Sequence, residues 1–323
     1  MKLRHLRYHG LGALQEYESS VRAYHFQGVS SLGARENARL GLLMPYPTVR
    51  DRLRPITGRH NPLLKDLRSV YAHGNLTGDG CFAVEGVRSL EEAIRSSVRF
   101  RAVFFTDADD AATQRLTQRL LEQIGHKVET YLVPAKLFHE AVATDSPQGV
   151  AALVRRKEST LDEALREQPA LMVVAAGLQD PGNLGTILRS AEAFGAGGVV
   201  LTEGTVSVYN PKAVRATAGS IFRLPAVTAK LAELIPYLRE KGVRLFATSS
   251  HKGIPLHEAP LHEPSALFIG NEGAGLARDV ISKMDATIAI PQVRPLESLN
   301  AGVAASIILY EAARQRSLQQ GQA

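Results

Sequence analysis

The sequence predicts an α/β protein built from two domains. Its 323 residues are about twice the length of a common domain. Short runs of Val, Ile and Ala alternate with amphipathic segments, which is typical of strands and helices that alternate around a parallel sheet. The longest apolar stretch, Ala170 to Leu178, is far shorter than the roughly 18 residues of a membrane span. The single cysteine, Cys81, excludes an intramolecular disulfide and a cysteine-based zinc site.

Residues 1–54 are expected to form a loosely ordered basic extension. They show no sustained helical or strand period, and no apolar segment follows Lys2, Arg4 and Arg7, so a secretory signal is not predicted. The formal charge is +5 over 1–54, +2 over 55–157 and −1 over 158–323. The basic excess therefore lies at the front of the chain, and net charge alone does not establish a nucleic-acid partner.

Residues 55–157 are predicted to form a small α/β domain. Helices are expected at 61–70, 90–97, 112–124 and 136–143, with strands at 81–84, 102–105, 127–133 and 150–154. A charged run at 155–158 indicates a linker to the next domain.

Residues 165–318 are predicted to form a second domain around a mostly parallel sheet covered on both faces. Strands are expected at 171–176, 198–201, 222–227, 243–248, 266–269 and 286–290, with helices at 184–194, 211–219, 230–241, 276–284 and 301–316. In such sheets ligands bind at the carboxyl ends of the strands. The loops after Ala176, Thr248, Ile269 and Ile290 are therefore the candidate site.

Each of three of these loops, taken alone, has an ordinary interpretation. In 179–185, Asn183 is placed as a helix N-cap, and Arg189 follows nearly two turns later as a surface arginine. The loop 270–275 is rich in glycine, but its order is G-x-x-G-x-G, which is not the dinucleotide fingerprint. The third loop leads into Ser298 and Asn300, either of which could cap the last helix.

Together and in this order, the three loops resemble the motifs of the SpoU (TrmH-like) family of RNA 2′-O-ribose methyltransferases. The motifs occupy 183–191, 269–275 and 290–300. The front domain resembles the ribosomal-protein-like substrate-binding domain of that family, at Asn61–Pro62 with Lys65, at 82–86 and at 146–151. A nucleotide-dependent oxidoreductase lacks support, because neither its fingerprint nor a P-loop is present.

The resemblance implies a trefoil-knot methyltransferase domain that dimerises through the C-terminal domain. It implies S-adenosylmethionine (AdoMet) as cofactor, no catalytic metal, a cytoplasmic setting and no membrane partner. RNA is the implied substrate, because only RNA carries the 2′-hydroxyl. Ribosomal RNA is favoured and transfer RNA is the alternative. The alternative from another functional class is an RNA-binding protein that has the same fold but no catalytic activity. The sequence retains the five catalytic candidates named below, which argues against this alternative.

The resemblance also assigns the site residues. The catalytic candidates are Arg189, Asn183, Glu272, Ser298 and Asn300, and the cofactor-binding candidates are Thr248, Gly270, Ile290 and Leu299. A guanidinium stays charged, so we expect Arg189 to orient a phosphate or hydroxyl rather than to act as a base. The two asparagines are expected to hold the nucleotide and the loops, and Glu272 and Ser298 to fix hydrogen bonds. A role of Glu272 as base stays open.

Four further expectations follow. A Cβ at Gly270 would stand in the place of the adenosine, and Arg215 would join Arg189 in attracting phosphate. The small residues that begin the last helix suit close packing against another backbone. The cluster His251, His257 and His262 is predicted to lie in a solvated loop rather than to bind a metal, because its spacing suits neither a helix nor a tight turn.

Overall fold

A computed structural model describes residues 52–107, 110–142, 144, 147–250, 252–294 and 297–320. These residues form two sheets, one in each predicted domain. Within the described residues, no helix is both long and apolar enough to cross a membrane.

The first sheet has five strands in the order β1-β4-β3-β5-β2. Its strands are β1 (Leu53–Pro55), β2 (Cys81–Glu85), β3 (Phe100–Asp107), β4 (Thr130–Pro134) and β5 (Val150–Arg155). Its helices are α1 (Pro62–His73), α2 (Val87–Arg95), α3 (Ala111–Gln123) and α4 (Ala135–Val142). β1, β4 and β3 are parallel, whereas β5 runs antiparallel to both β3 and β2.

The fold begins earlier than the predicted end of the extension at residue 54. Strand β1 pairs with β4 from Leu53 onwards, opposite Thr130. Arg52 donates from Nη2 to the carbonyl of Ile124, at 3.1 Å, at the end of α3. The assignment of 52–54 to a loose extension was therefore wrong, and residues 1–51 lie outside the described part of the chain.

The second sheet has seven strands, all parallel, in the order β10-β12-β9-β11-β6-β7-β8. Its strands are β6 (Leu171–Ala175), β7 (Gly198–Leu201), β8 (Ala226–Thr228), β9 (Arg244–Ser249), β10 (Ile254–Pro255), β11 (Ser265–Ile269) and β12 (Ala286–Ala289). Its helices are α5 (Leu161–Ala164), α6 (Pro181–Ala193), α7 (Pro211–Ala216), α8 (Leu231–Glu240), α9 (Arg278–Ile281) and α10 (Ala301–Gln320). This confirms the predicted parallel sheet.

Both faces of the second sheet are buried, as predicted. Alternate residues of β6 point to opposite cores: Val173 packs in one apolar cluster and Val174 in the other. The first cluster also holds Ile308 of α10 and Ile187 of α6. Strands covered on both sides read as continuous apolar runs, which explains why they were visible in the sequence.

Several element boundaries differ from the predictions. The segment predicted as a strand at 222–227 begins as a 3₁₀ turn, Ser220–Phe222, and β8 starts only at Ala226. The helix predicted at 276–284 shortens to α9, and the last helix continues to Gln320. Gly219, with φ +96°, has a left-handed conformation that favours glycine, and it directly precedes the 3₁₀ turn.

The two domains pack directly against each other. Phe82 of β2 lies 5.1 Å, centroid to centroid, from Tyr209 in the loop before α7. Glu85, whose side chain is 8% exposed, accepts from Arg215 Nη2 at 3.0 Å. The expected phosphate role of Arg215 is therefore not supported, because its guanidinium joins the two domains.

Candidate active site

The carboxyl ends of β12, β9, β11 and β6 lie side by side at one edge of the second sheet. Thr248 lies near the end of β9, opposite Ile288 of β12, and its Oγ1 donates to the carbonyl of Phe268 at 2.9 Å. Gly270 follows β11 directly, and Ile290 follows β12. Three of the four expected cofactor-binding residues therefore stand at neighbouring strand ends.

Helix α6 starts three residues earlier than predicted. Its N-cap is Asp180, whose Oδ1 accepts from the backbone N–H of Asn183 at 2.7 Å, and Pro181 occupies the first helical position. Placing Asn183 as the N-cap was therefore wrong. Because Asp180 performs the capping, the side chain of Asn183 is available for other contacts.

Glu272 connects the second motif to the start of α6. Its Oε2 accepts from the backbone N–H of Gln179, and its Oε1 from that of Asp180, both at 3.2 Å. Its Oε1 also accepts from Asn183 Nδ2 at 3.1 Å. A carboxylate at this position is favoured because the start of a helix presents unpaired N–H donors and a positive dipole end.

These contacts keep Glu272 ionised. Burial raises the pKa of its carboxyl group, but the hydrogen bonds from Asn183 and from the backbone N–H groups of Gln179 and Asp180 outweigh burial. The net pKa is lower than that of an ordinary glutamate. A carboxylate whose oxygens already accept three donors is a weak proton acceptor. The geometry thus favours a positioning role over that of a base.

Asn183, which contacts Glu272, also contacts the third motif. It is 8% exposed, and its Oδ1 accepts from Asn300 Nδ2 at 2.7 Å. Asn300 Oδ1 in turn accepts from the backbone N–H of Val303, at 3.1 Å, at the start of α10. The acceptor-only carboxylate of Glu272 at one end and a backbone donor at the other fix the direction of both amides. We call Glu272, Asn183 and Asn300 the amide relay.

The second motif forms a closed turn. Asn271 and Gly275 exchange two backbone hydrogen bonds, and Asn271 Oδ1 accepts from the N–H groups of Gly273 and Ala274 at 3.0 Å. Asn271 Nδ2 donates to the carbonyl of Gly177 after β6, also at 3.0 Å. Sequence reasoning did not single out Asn271 as a site residue, although it braces the loop that presents Glu272.

The turn itself requires a glycine at position 270. A Cβ built there would lie closer than 3.0 Å to the backbone of Gly275 and Leu276. The glycine is therefore required by the close approach of its own loop.

The residues present fit a cofactor held by the backbone. Within the described part of the chain, the backbone N–H and C=O groups of Gly270, Ile290 and Leu299 make no hydrogen bond. They belong to the loops at adjacent strand ends, where polar main-chain groups without partners can bind the adenine and ribose of AdoMet.

Arg189 and Ser298 stay outside the relay. Both are exposed, and neither side chain makes a hydrogen bond or ion pair with another described residue. Arg189 lies on α6, two turns after its start, and Ser298 lies two residues before Asn300. Their positions leave both side chains available to a substrate.

The small residues at the start of α10 pack closely against side chains of α6, rather than against another backbone as expected. A Cβ at Gly302 would come within 3.1 Å of the Thr186 side chain on α6, and Ser306 Oγ lies 2.7 Å from Ser190 Oγ. This contact holds α6, which carries the first motif, beside α10, which follows the third motif.

No group of three or more metal-ligating side chains occurs among the described residues. His257 and His262 lie next to Glu258 and Glu263, at 3.7 and 3.9 Å, as sequence neighbours in a loop. His251 is outside the described residues.

Comparison with known proteins agrees with this geometry. Residues 170–310 match the SpoU rRNA Methylase family, and residues 61–152 match the MRM3-like substrate binding domain. The chain is 31% identical over 258 residues to 23S rRNA (guanosine(2553)-2'-O)-methyltransferase RlmP of Bacillus subtilis, covering 80% of this chain and 98% of that protein.

Two solved structures are also similar. The SpoU methyltransferase AviRb from Streptomyces viridochromogenes in complex with AdoMet has a TM-score of 0.71 and 30% identity, and 80% of this chain and 98% of that chain are covered. The AdoMet-bound rRNA methyltransferase from Sinorhizobium meliloti has a TM-score of 0.71 and 27% identity, with coverage of 81% and 98%. With three motifs joined at one sheet edge and a relative matched over almost its whole length, this chain belongs to the SpoU rRNA methylase family.

Proposed function

We propose that this protein transfers the methyl group of AdoMet to a ribose 2′-hydroxyl of ribosomal RNA. The observation that carries the proposal is the amide relay, which joins all three family motifs at the edge where a parallel α/β sheet binds its ligands. Two of the relatives named above, RlmP and the Sinorhizobium meliloti enzyme, are named for ribosomal RNA, which favours it over transfer RNA.

The chemistry is an in-line displacement at carbon. AdoMet supplies a methyl group on a sulfonium; the C–S bond breaks as the 2′-oxygen forms the new C–O bond, and the hydroxyl proton is lost. The protein must align the two reactants, and alignment alone can supply several kcal/mol of the barrier. The relay fixes the loops on either side of the cofactor edge, so it performs this alignment.

Arg189 is the residue we assign to the acceptor nucleotide. Its exposed guanidinium has no competing partner among the described residues and can bind a phosphate through two N–H groups. Ser298 is assigned a hydrogen bond to the same nucleotide. Thr248, Gly270, Ile290 and Leu299 are assigned to AdoMet, the last three through their unpaired backbone groups.

We further propose a homodimer through the C-terminal domain. Helix α10 presents Val303, Ile307 and Tyr310 at helical spacing, 47%, 37% and 57% exposed. Large apolar side chains in one exposed stripe are typical of an interface. We also propose that the C-terminal domain forms a trefoil knot and that the protein has a cytoplasmic setting. The proposed domain limits are 55–157, with β1 added to this domain, and 165–318.

Calorimetry with purified protein tests the cofactor assignment. AdoMet is expected to bind and NAD is expected not to compete. No binding at millimolar AdoMet would overturn the enzymatic reading and favour a silent RNA-binding protein.

A second experiment identifies the target. The 2′-O-methyl sites of ribosomal and transfer RNA are mapped in cells with and without the gene. Loss of one ribosomal site is expected. Loss of a transfer RNA site with all ribosomal sites intact would correct the substrate class.

A further inference from the structure

A cleft of about 360 Å³ opens between the two domains. It is lined by none of the residues assigned to the cofactor or to catalysis. Its floor is apolar, formed by Phe82, Val98, Val154, Ile221 and Phe222, and its rim carries Ser96, Ser97, Arg99, Arg155, Arg156, Lys157 and Glu158. We call it the interdomain cleft.

The rim of the interdomain cleft carries an excess of positive charge. Arg155 Nη2 lies 3.5 Å from an oxygen of Asp79, and Arg156 Nη2 lies 3.0 Å from an oxygen of Glu158. The side chains of Arg99 and Lys157 have neither an ion pair nor a hydrogen bond with any residue that the structure describes. Two exposed cations are therefore available to an anionic ligand.

The floor of the cleft offers aromatic surface. Phe82 and Phe222 stack with their ring centroids 6.2 Å apart and their planes at 25°. Phe82 is buried, whereas Phe222 is partly exposed. An aromatic face beneath a basic rim with two unpaired cations is the combination that binds single-stranded nucleic acid, because bases stack on rings while phosphates meet the cations.

The cleft is connected to the residue assigned to the acceptor nucleotide. Arg189 and Glu192 are separated by one turn on α6, and Glu192 Oε2 accepts from Arg223 Nη2 at 3.0 Å. Arg223 Nη1 donates to Oγ of Ser96, on the cleft rim, at 3.1 Å. Hydrogen bonds through Arg223 therefore link the cleft rim to the helix that carries Arg189.

We propose that the interdomain cleft binds a nucleotide of the RNA substrate other than the one that is methylated. Its base stacks on Phe222, and Arg99 and Lys157 bind the flanking phosphates. The volume falls within the roughly 300–1,000 Å³ of pockets that hold small ligands, so one nucleotide fits. This inference rests on the proposed function in naming RNA as the ligand.

The experiment compares two charge reversals of equal size. Lys157→Glu changes the rim, and Lys283→Glu changes an exposed lysine just before β12, the strand next to the β10 edge of the second sheet. Binding of a fluorescein-labelled 12-nucleotide single-stranded RNA is measured by anisotropy. We expect Lys157→Glu to weaken binding about ten-fold and Lys283→Glu less than about two-fold. Equal effects of the two variants would overturn the proposal.

Salt dependence provides a second readout. The double variant Arg99→Ala/Lys157→Ala is expected to flatten the slope of log K against log salt by about 1.4, because each phosphate contact to a single strand contributes about 0.7. An unchanged slope would overturn the phosphate assignment. The variant Phe222→Leu keeps an apolar side chain and is expected to weaken binding about five-fold or more, through loss of stacking.

Two controls separate this proposal from the proposed function. AdoMet binding by calorimetry is expected to be the same in wild type, Lys157→Glu and Lys283→Glu. Failure of the wild type to methylate ribosomal RNA would remove the proposed function but not the measured role of the cleft. Binding of AMP as tight as that of the 12-nucleotide RNA would overturn the RNA assignment in favour of a free nucleotide.

Discussion

The amide relay predicts a specific, pH-dependent defect for Asn183→Asp. The substitution keeps the size of a side chain that is 8% exposed, but it replaces Nδ2, 3.1 Å from Glu272 Oε1, with a second carboxylate oxygen. The charge-assisted hydrogen bond that is lost is worth about 1.5–3 kcal/mol. Repulsion between the carboxylates adds to this, so we expect the free energy of unfolding to fall by about 3 kcal/mol at pH 7.5.

The sign of the pH dependence follows from the same contact. Two adjacent carboxylates raise the pKa of one of them, so the new group is penalised once it ionises, and protonation relieves the penalty. The stability deficit of Asn183→Asp should therefore shrink from pH 7.5 to pH 5. In wild type the lowered pKa of Glu272 keeps that carboxylate ionised at pH 5, so its own contribution persists there.

Thermal and urea unfolding at the two pH values provide the assay. A loss of about 3 kcal/mol corresponds to a fall in Tm of roughly 6–12 °C. Asn210→Asp is the matched control: Asn210 caps α7 through Oδ1, which accepts from Lys212 N at 2.9 Å, and aspartate caps a helix as well as asparagine does. A deficit of Asn183→Asp that equals that of Asn210→Asp, or that does not shrink at pH 5, would refute the relay.

Three further predictions concern stability, assembly and the pH profile. Arg316→Met should cost about 3 kcal/mol or more in urea unfolding, because the guanidinium donates to four backbone carbonyls, whereas the exposed Arg314→Met should cost under about 1 kcal/mol. Ile307→Glu should produce monomers in sedimentation velocity, and Gln319→Glu should leave dimers. Glu272→Gln should lower kcat about ten-fold or more, and the shape of the plot of kcat against pH should stay the same between pH 6 and 9. If wild type showed a fall in kcat toward low pH in this range and the variant did not, Glu272 would be the base.

Arg316 also shows what the sequence could not reveal. In the sequence it is one charge at the end of the last predicted helix, yet it donates to the carbonyls of Pro169, Ala170, Leu261 and Glu263. Burial lowers its pKa to about 10, so it remains charged at neutral pH. Its partners lie more than 50 positions away along the chain, which no local pattern encodes.

The strands and cores of the second domain were predictable because continuous runs of Val, Ile and Ala are dictated by burial on both faces. The shortest elements were not. Strand β1 has three residues and β10 has two, which is too short for a period to show. Both exist through pairing with distant strands, β4 and β12.

For the site, the sequence indicated which loops come together but not which side chains contact one another. Four strand ends directed attention to loops that lie at one edge of the second sheet, and the structure brings Asn183, Glu272 and Asn300 together. The cap at Asp180 was missed because Asp and Asn are equally good N-caps, so sequence alone does not choose between them. The relay spans 89 and 117 positions of the chain, and only the fold could reveal its order.

One measurement tests the central claim most directly. The protein is incubated with large-subunit ribosomal RNA and AdoMet labelled in its methyl group, and the RNA is digested to nucleosides for mass spectrometry. The label is expected in a single 2′-O-methylnucleoside, and it is expected to disappear with Arg189→Ala while that variant still binds AdoMet in calorimetry. Label on a base, or full activity of Arg189→Ala, would contradict the account.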